Sequence, residues 1–187
     1  MICDQQRLSG GSEPVRLLAR HIRLFQGILA GSFIAAVLFG AYLVERVSFP
    51  GGGLFPGIVA SSLAASTFLI FVFPNLPTAK IHRLIWGHII ATGVGYTCYC
   101  LTAYVMGYEP GAASILSGGA AVGLSTFLMV SFRVPHPPAA GTALGFAIGS
   151  SFAKLIFVVI GVLFLGLVGC LLSRLLRDVE NESLRIG

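Results

Sequence analysis

Charge is scarce in this sequence. Charged residues make up 10% of 187 positions, against about 25% in soluble domains. The acids are Asp4, Glu13, Glu45, Glu109, Asp178, Glu180 and Glu182. All lie at the termini or in short connectors and none inside an apolar run. That excludes paired-carboxylate catalysis and ordinary carboxylate proton coupling within the spans. Cysteine is nearly as sparse. Cys98 and Cys100 fall within one apolar run, while Cys3 and Cys170 stand alone. They form no disulfide framework and no thiolate metal set. Metal binding and cofactors are therefore not expected.

What the chain has is apolar surface: 56% hydrophobic residues and a mean hydropathy of +0.90. This predicts an all-α polytopic transmembrane bundle. Apolar segments fall at 27–44, 54–73, 84–106, 112–132, 137–151 and 155–172. Five of them reach roughly 27 Å or more at 1.5 Å per residue, enough to cross the hydrocarbon with some tilt or thinning. The fifth, 137–151, reaches only about 22 Å, and is either a short span or a re-entrant half-helix. The expected division is a basic N-terminal segment over 1–24, a membrane domain over 25–173 and a C-terminal tail over 174–187. Ser12-Glu13-Pro14 offers a start for a short interfacial helix carrying Val15, Leu18 and Ile22, with a loose basic tail as the alternative. The N-terminal run reads as an uncleaved anchor.

A net charge of +5 invites nucleic acid, but the basic residues flank apolar spans, so the bilayer is the expected partner and nucleic acid is not. Six crossings put Arg7, Arg16, Arg20, Arg23, Lys80, Arg83, Arg133, Arg174, Arg177 and Arg185 on one side, and Arg46 and Lys154 on the other. Turning 137–151 back weakens this asymmetry, so the positive-inside bias favours six spans with both termini cytoplasmic, as in a bacterial inner membrane. So thin a bundle leaves room for a homo-oligomer.

An internal repeat is legible. Ser66-Thr67-Phe68-Leu69 with Phe73 recurs as Ser125-Thr126-Phe127-Leu128 with Phe132. A Pro-containing basic connector follows each block. Then comes a row of small residues: Gly87, Ala91 and Gly95 in one copy, Gly141, Gly145 and Gly149 in the other. Two crossings separate the copies, which predicts parallel helix-hairpin repeats about an axis along the membrane normal. The small rows predict close helix packing.

The second connector is the sharpest chemical signal. Arg133 and His136 precede Pro137-Pro138, and proline suits a first helical turn. The amides of Ala139, Ala140 and Gly141 then point out of a helix N-terminus, with Thr142 adding a hydroxyl. Ordered N–H groups at the positive dipole end suit an anion. A rigid turn is the alternative reading. Lys80, His82 and Arg83 form a secondary basic connector, and His88 lies about one turn inside the third span. An intramembrane histidine is functional by default, with an interhelical structural hydrogen bond as the rival.

The stretch His136-Pro137-Pro138-Ala139-Ala140-Gly141-Thr142-Ala143-Leu144 resembles the naming motif of the HPP family of integral membrane proteins. Ala64-Ala65-Ser66 through Phe71, Pro74, Pro77 and Ala79 to Gly87-His88 is similar to that family's other signature. The two blocks together cover roughly residues 54–150. Ile81-His82 stands where the family usually has Pro-Arg. The resemblance implies a small multi-span protein, and some relatives from plastids and cyanobacteria are associated with nitrite transport. The expected function is a small-anion transporter or channel, with nitrite or a similar oxyanion leading. A structural or regulatory membrane subunit is the alternative. An embedded enzyme is not expected, since no nucleophile–base spacing is present.

Overall fold

The computed structural model describes residues 13–48, 57–106 and 112–186. All regular structure among them is helical: α1 Glu13–Ser48, α2 Gly57–Val72, a short 3-10 turn Pro77–Ala79, α3 Ile81–Met106, α4 Ala112–Ser131, α5 Ala139–Ala147 and α6 Phe152–Ile186. The protein is a helical membrane bundle. Four stretches among the described residues are long and apolar enough to cross: Arg20–Gly40, Ile81–Val105, Ala113–Ser131 and Phe152–Leu175. Helix α2 has 16 residues and α5 only nine, so α5 covers about 13 Å. The fifth segment is thus shorter than its apolar run. Its prolines precede the helix, and it has ended before Gly149 and Ser150-Ser151.

Helix directions follow from which residues meet. Gly161 and Gly169 of α6 face Leu63 and Ile70 of α2, so these two run parallel. Gly87 of α3 faces His136 and Ala139, and Gly95 faces Ala143 and Phe146, so α3 and α5 are also parallel. Gly141 and Gly145 face Ser62 and Val59, setting α5 antiparallel to α2. Helix α1 reaches the end of α2, where the Gln26 side-chain amide donates to the Phe71 carbonyl at 3.2 Å. The helices therefore alternate in direction. The start of α1, the connectors 73–80 and 132–138 and the end of α6 share one end of the bundle. There the Asn75 side-chain amide donates to the Asn181 Oδ1 atom at 3.3 Å.

Helix α5 is the hub, packed on α2, α3 and α4, while α6 closes the far side of α2 and α3 and α1 lies against α2 and α6. This distinguishes the two hairpins. Helices α4 and α5 pack directly on each other, whereas α5 stands between α2 and α3. Its small residues admit this: a Cβ on Gly145 would sit 2.6 Å from Val59 Cγ2, and one on Gly95 of α3 would sit 2.5 Å from the Ala143 carbonyl oxygen. Lipid is as apolar as a leucine side chain, so close packing of this kind holds such a bundle together. Gly149 is no part of this row, lying beyond the end of α5. Its carbonyl, with that of Gly145 at 3.3 Å, accepts a hydrogen bond from the Lys154 ammonium. Lys154 thereby caps the carbonyl end of α5.

Two sequence expectations on helix ends change. The segment at 14–22 is not a separate interfacial helix, because α1 runs without a break from Glu13. The C-terminal tail continues α6 to Ile186. Polar residues within the membrane keep their backbone bonded by staying helical.

Candidate functional site: a buried hydroxyl and imidazole chain

Helices α2, α3 and α5 and the second connector converge on one polar cluster. His136 and Thr142 are wholly buried, as is Ser66, and His88 is 2% exposed. Four contacts join them with Ser62. Ser62 Oγ and Thr142 Oγ1 are 2.7 Å apart, and Thr142 Oγ1 is 2.9 Å from His88 Nδ1. On the other side of the ring, His88 Nε2 is 3.1 Å from Ser66 Oγ, which is 2.9 Å from His136 Nε2. His136 Nδ1 ends the chain 2.9 Å from the Thr78 carbonyl oxygen.

That carbonyl sets the sense of every bond when both rings are neutral. It can only accept, so His136 Nδ1 carries the proton and Nε2 is the acceptor. Ser66 then donates to His136 Nε2 and accepts from His88 Nε2–H. This leaves His88 Nδ1 to accept from Thr142, which accepts from Ser62. Each proton is used once and all four ring nitrogens are satisfied. Ser66 Oγ also lies 3.0 Å from the Ser62 carbonyl oxygen, an alternative acceptor. Rotation of this one hydroxyl would free His136 Nε2 to take a proton and donate.

In the sequence His88 and His136 are separate signals, one inside a span and one at a helix start. The fold sets their ring centres 5.4 Å apart. Gly87 makes this approach possible, since a Cβ there would lie 2.7 Å from His136 Cβ. Ser62, Ser66 and the Thr78 carbonyl were missed as partners. Ser66 did stand out twice, in the repeated block and in the Ala64-Ala65-Ser66 signature, but spacing alone gave it no partner.

The amides after the prolines differ from expectation. Ala139, Ala140 and Gly141 donate to the carbonyls of His136, Pro137 and Pro138 at 2.9, 3.1 and 3.0 Å. They are spent in a tight first turn and are not an open anion cradle. Arg133 also stands apart. It is exposed, with φ of 59°. Arg133 N–H donates to Val130 O and Val134 N–H to Met129 O, the two bonds of a Schellman cap on α4. Its role in the backbone is to stop that helix. Pro137 is exposed and Pro138 half-buried; Lys80 and His82 are exposed at the first connector. Arg83 is partly buried, and its Nε has no hydrogen-bond partner. Among the described residues no three His, Cys, Asp or Glu side chains gather as a metal set.

His136 lies in a connector outside the spanning helices. Burial pushes its imidazole below the ordinary histidine value, and the bond to the Thr78 carbonyl pulls weakly the other way.

The family described as "HPP, transmembrane region" matches residues 17–181. The chain belongs to the HPP family. That match takes in five of the helices whole or nearly so and most of α1, including both connectors and every member of the buried chain. No curated protein and no solved structure matches the sequence.

Proposed function

We propose that this HPP-family protein moves small anions across a membrane, with nitrite or a similar oxyanion as the leading substrate. The observation that carries this reading is the buried chain of hydroxyls and imidazoles from Ser62 to His136, with no carboxylate in it. His136 is a buried imidazole that can gain a positive charge as pH falls below the ordinary histidine value. An anion entering a low-dielectric site is costly unless a cation meets it. Protonated His136 would supply that charge, so anion and proton would travel as a neutral pair. The Thr92 and Ser117 hydroxyls are buried without partners, which offers further donors along the bundle.

Access is by way of the connectors. His136 is sealed under Thr78, so the His136–Thr78 bond must open before an anion reaches the ring. Exposed Arg133 would attract it to that end. We read the connector end as cytoplasmic in a bacterial inner membrane, from the excess of basic residues there. The two hairpins are read as parallel repeats whose packing diverged when α5 shortened, and the thin bundle as a homo-oligomer. The protein is proposed to act without catalysis.

The rival is a structural or regulatory subunit, favoured by the completeness of the chain's hydrogen bonding. Fluxes of nitrite, nitrate, formate and chloride into vesicles containing only this protein distinguish the two. Transport predicts oxyanion flux that rises as pH falls below the ordinary histidine value, with His136→Gln losing that rise. Folded protein passing none of these anions would leave the structural reading standing. Unchanged, pH-matched flux in His136→Gln and Arg133→Gln would remove both residues from the transport site.

A further inference from the structure

A second polar feature lies at the connector end, apart from the buried chain. Between the first connector and the last turns of α6 is a pocket of about 400 Å³, within the range of roughly 300–1,000 Å³ usual for small-ligand sites. Its floor is apolar, from Ile70, Ala79 and Gly169. Lys80, His82 and Arg177 stand around it with Asn75 and Ser173, and among the described residues no acid lines it. The N-terminus of α3, a 26-residue helix, opens into the same space and adds its positive dipole end. Three basic side chains from the first connector, α3 and α6, hydroxyl and amide donors and a helix start suit a phosphate group.

We propose that this pocket holds the phosphate of an anionic phospholipid. The choice of a lipid over a soluble phosphate rests on what lies just below the pocket. Trp86 follows His82 by four residues, so it sits one turn deeper on the same face of α3, and it is 54% exposed. Ile89 continues the surface at 53% exposure. A headgroup bound by Lys80 and Arg177 would run its acyl chain down this apolar face. Basic pockets between helices at the cytoplasmic level are suited to such headgroups.

Trp86 is the single tryptophan, so the native chain carries its own probe. The protein is reconstituted in phosphatidylcholine bilayers containing equal mole fractions of brominated phosphatidylglycerol or brominated phosphatidylcholine. The expected result is stronger quenching of Trp86 by the anionic lipid, with the excess shrinking as salt rises. Each cation is expected to contribute roughly five-fold in affinity. A Lys80→Gln/Arg177→Gln protein should therefore lose most of the excess and keep its quenching by phosphatidylcholine, which reports an intact fold. Equal quenching by the two lipids in the native protein would overturn the proposal, as would an excess that survives the double substitution. Millimolar inorganic phosphate is compared with chloride at matched ionic strength. Removal of the excess by phosphate alone would overturn the lipid assignment in favour of a soluble anion, and equal effects of both salts support the lipid.

Discussion

Ser66 is the residue on which the buried chain turns. Its hydroxyl serves both imidazoles, donating to His136 and accepting from His88. Ser66→Ala leaves two ring nitrogens without partners, at about 1–3 kcal/mol for each buried orphan. We expect a marked drop in thermal stability in detergent, well beyond that of Ser131→Ala, whose hydroxyl bonds only its own helix at the surface. Equal stability of the two variants would show that the chain contributes little. His136 adds a pH dependence. Its folded-state value is depressed by burial, so between that value and the ordinary one near 6.5 the unfolded chain binds more protons. Stability from this group is complete above pH 6.5 and declines as pH falls toward the folded-state value. Thermal unfolding at pH 7.5 and 5.5 should show the loss, and His136→Gln should reduce the difference.

At the scale of elements, the glycines divide by what a methyl group would meet. In Gly95→Ala the new carbon would press on the Ala143 backbone oxygen at 2.5 Å and on Phe146 Cβ at 2.9 Å, and α3 would have to leave α5. In Gly161→Ala it would meet Leu63 Cδ1 at 2.5 Å, the movable end of a side chain. Overpacking of the first kind costs about 1–3 kcal/mol or more, so Gly95→Ala should lower the melting temperature or yield of purified protein while Gly161→Ala stays near native. Similar behaviour of the two would mean that α3 and α5 can separate freely. The four-residue spacing of Gly87, Ala91 and Gly95 was legible in the sequence because a helix places such residues on one face. Which helix they met was not. Periodicity says that a face is small, and only the bundle shows that α5 fills it. The ends of α5 were illegible for a related reason. The apolar run 137–151 does not distinguish helix from the turn and irregular backbone that makes up its last residues.

For the whole molecule, composition was enough to require a membrane and helices, and the order of basic connectors predicted which ends lie together. Contacts among Gln26 and Phe71, Thr78 and His136, and Asn75 and Asn181 give the same arrangement. Convergence of His88 and His136 could not be foreseen, since one lies in α3 and the other in the second connector, and they meet only because α5 runs parallel to α3. Whether α5 and its continuation complete a crossing is then a question of where α6 begins. Helix α6 is antiparallel to α5, and its Gly161 is level with Leu63, in the first half of α2. Its first residue, Phe152, is nine residues earlier, or about 13 Å farther from the connector end. Gly145 of α5 is already level with Val59, about 6 Å beyond Leu63 in the same direction. Residues 148–151 therefore have only about 4–5 Å left to cover before Phe152, and there Lys154 bonds the Gly145 and Gly149 carbonyls. The short helix and the turn after it thus carry the chain from the connector end to the start of α6, and we read 137–151 as a crossing. In a chain lacking its native cysteines, Asn75→Cys and Asn181→Cys should react with a membrane-impermeant thiol reagent from one face, and Ser150→Cys from the other. Labelling of Ser150→Cys from the Asn75 face would instead make α5 re-entrant and reduce the bundle to fewer crossings.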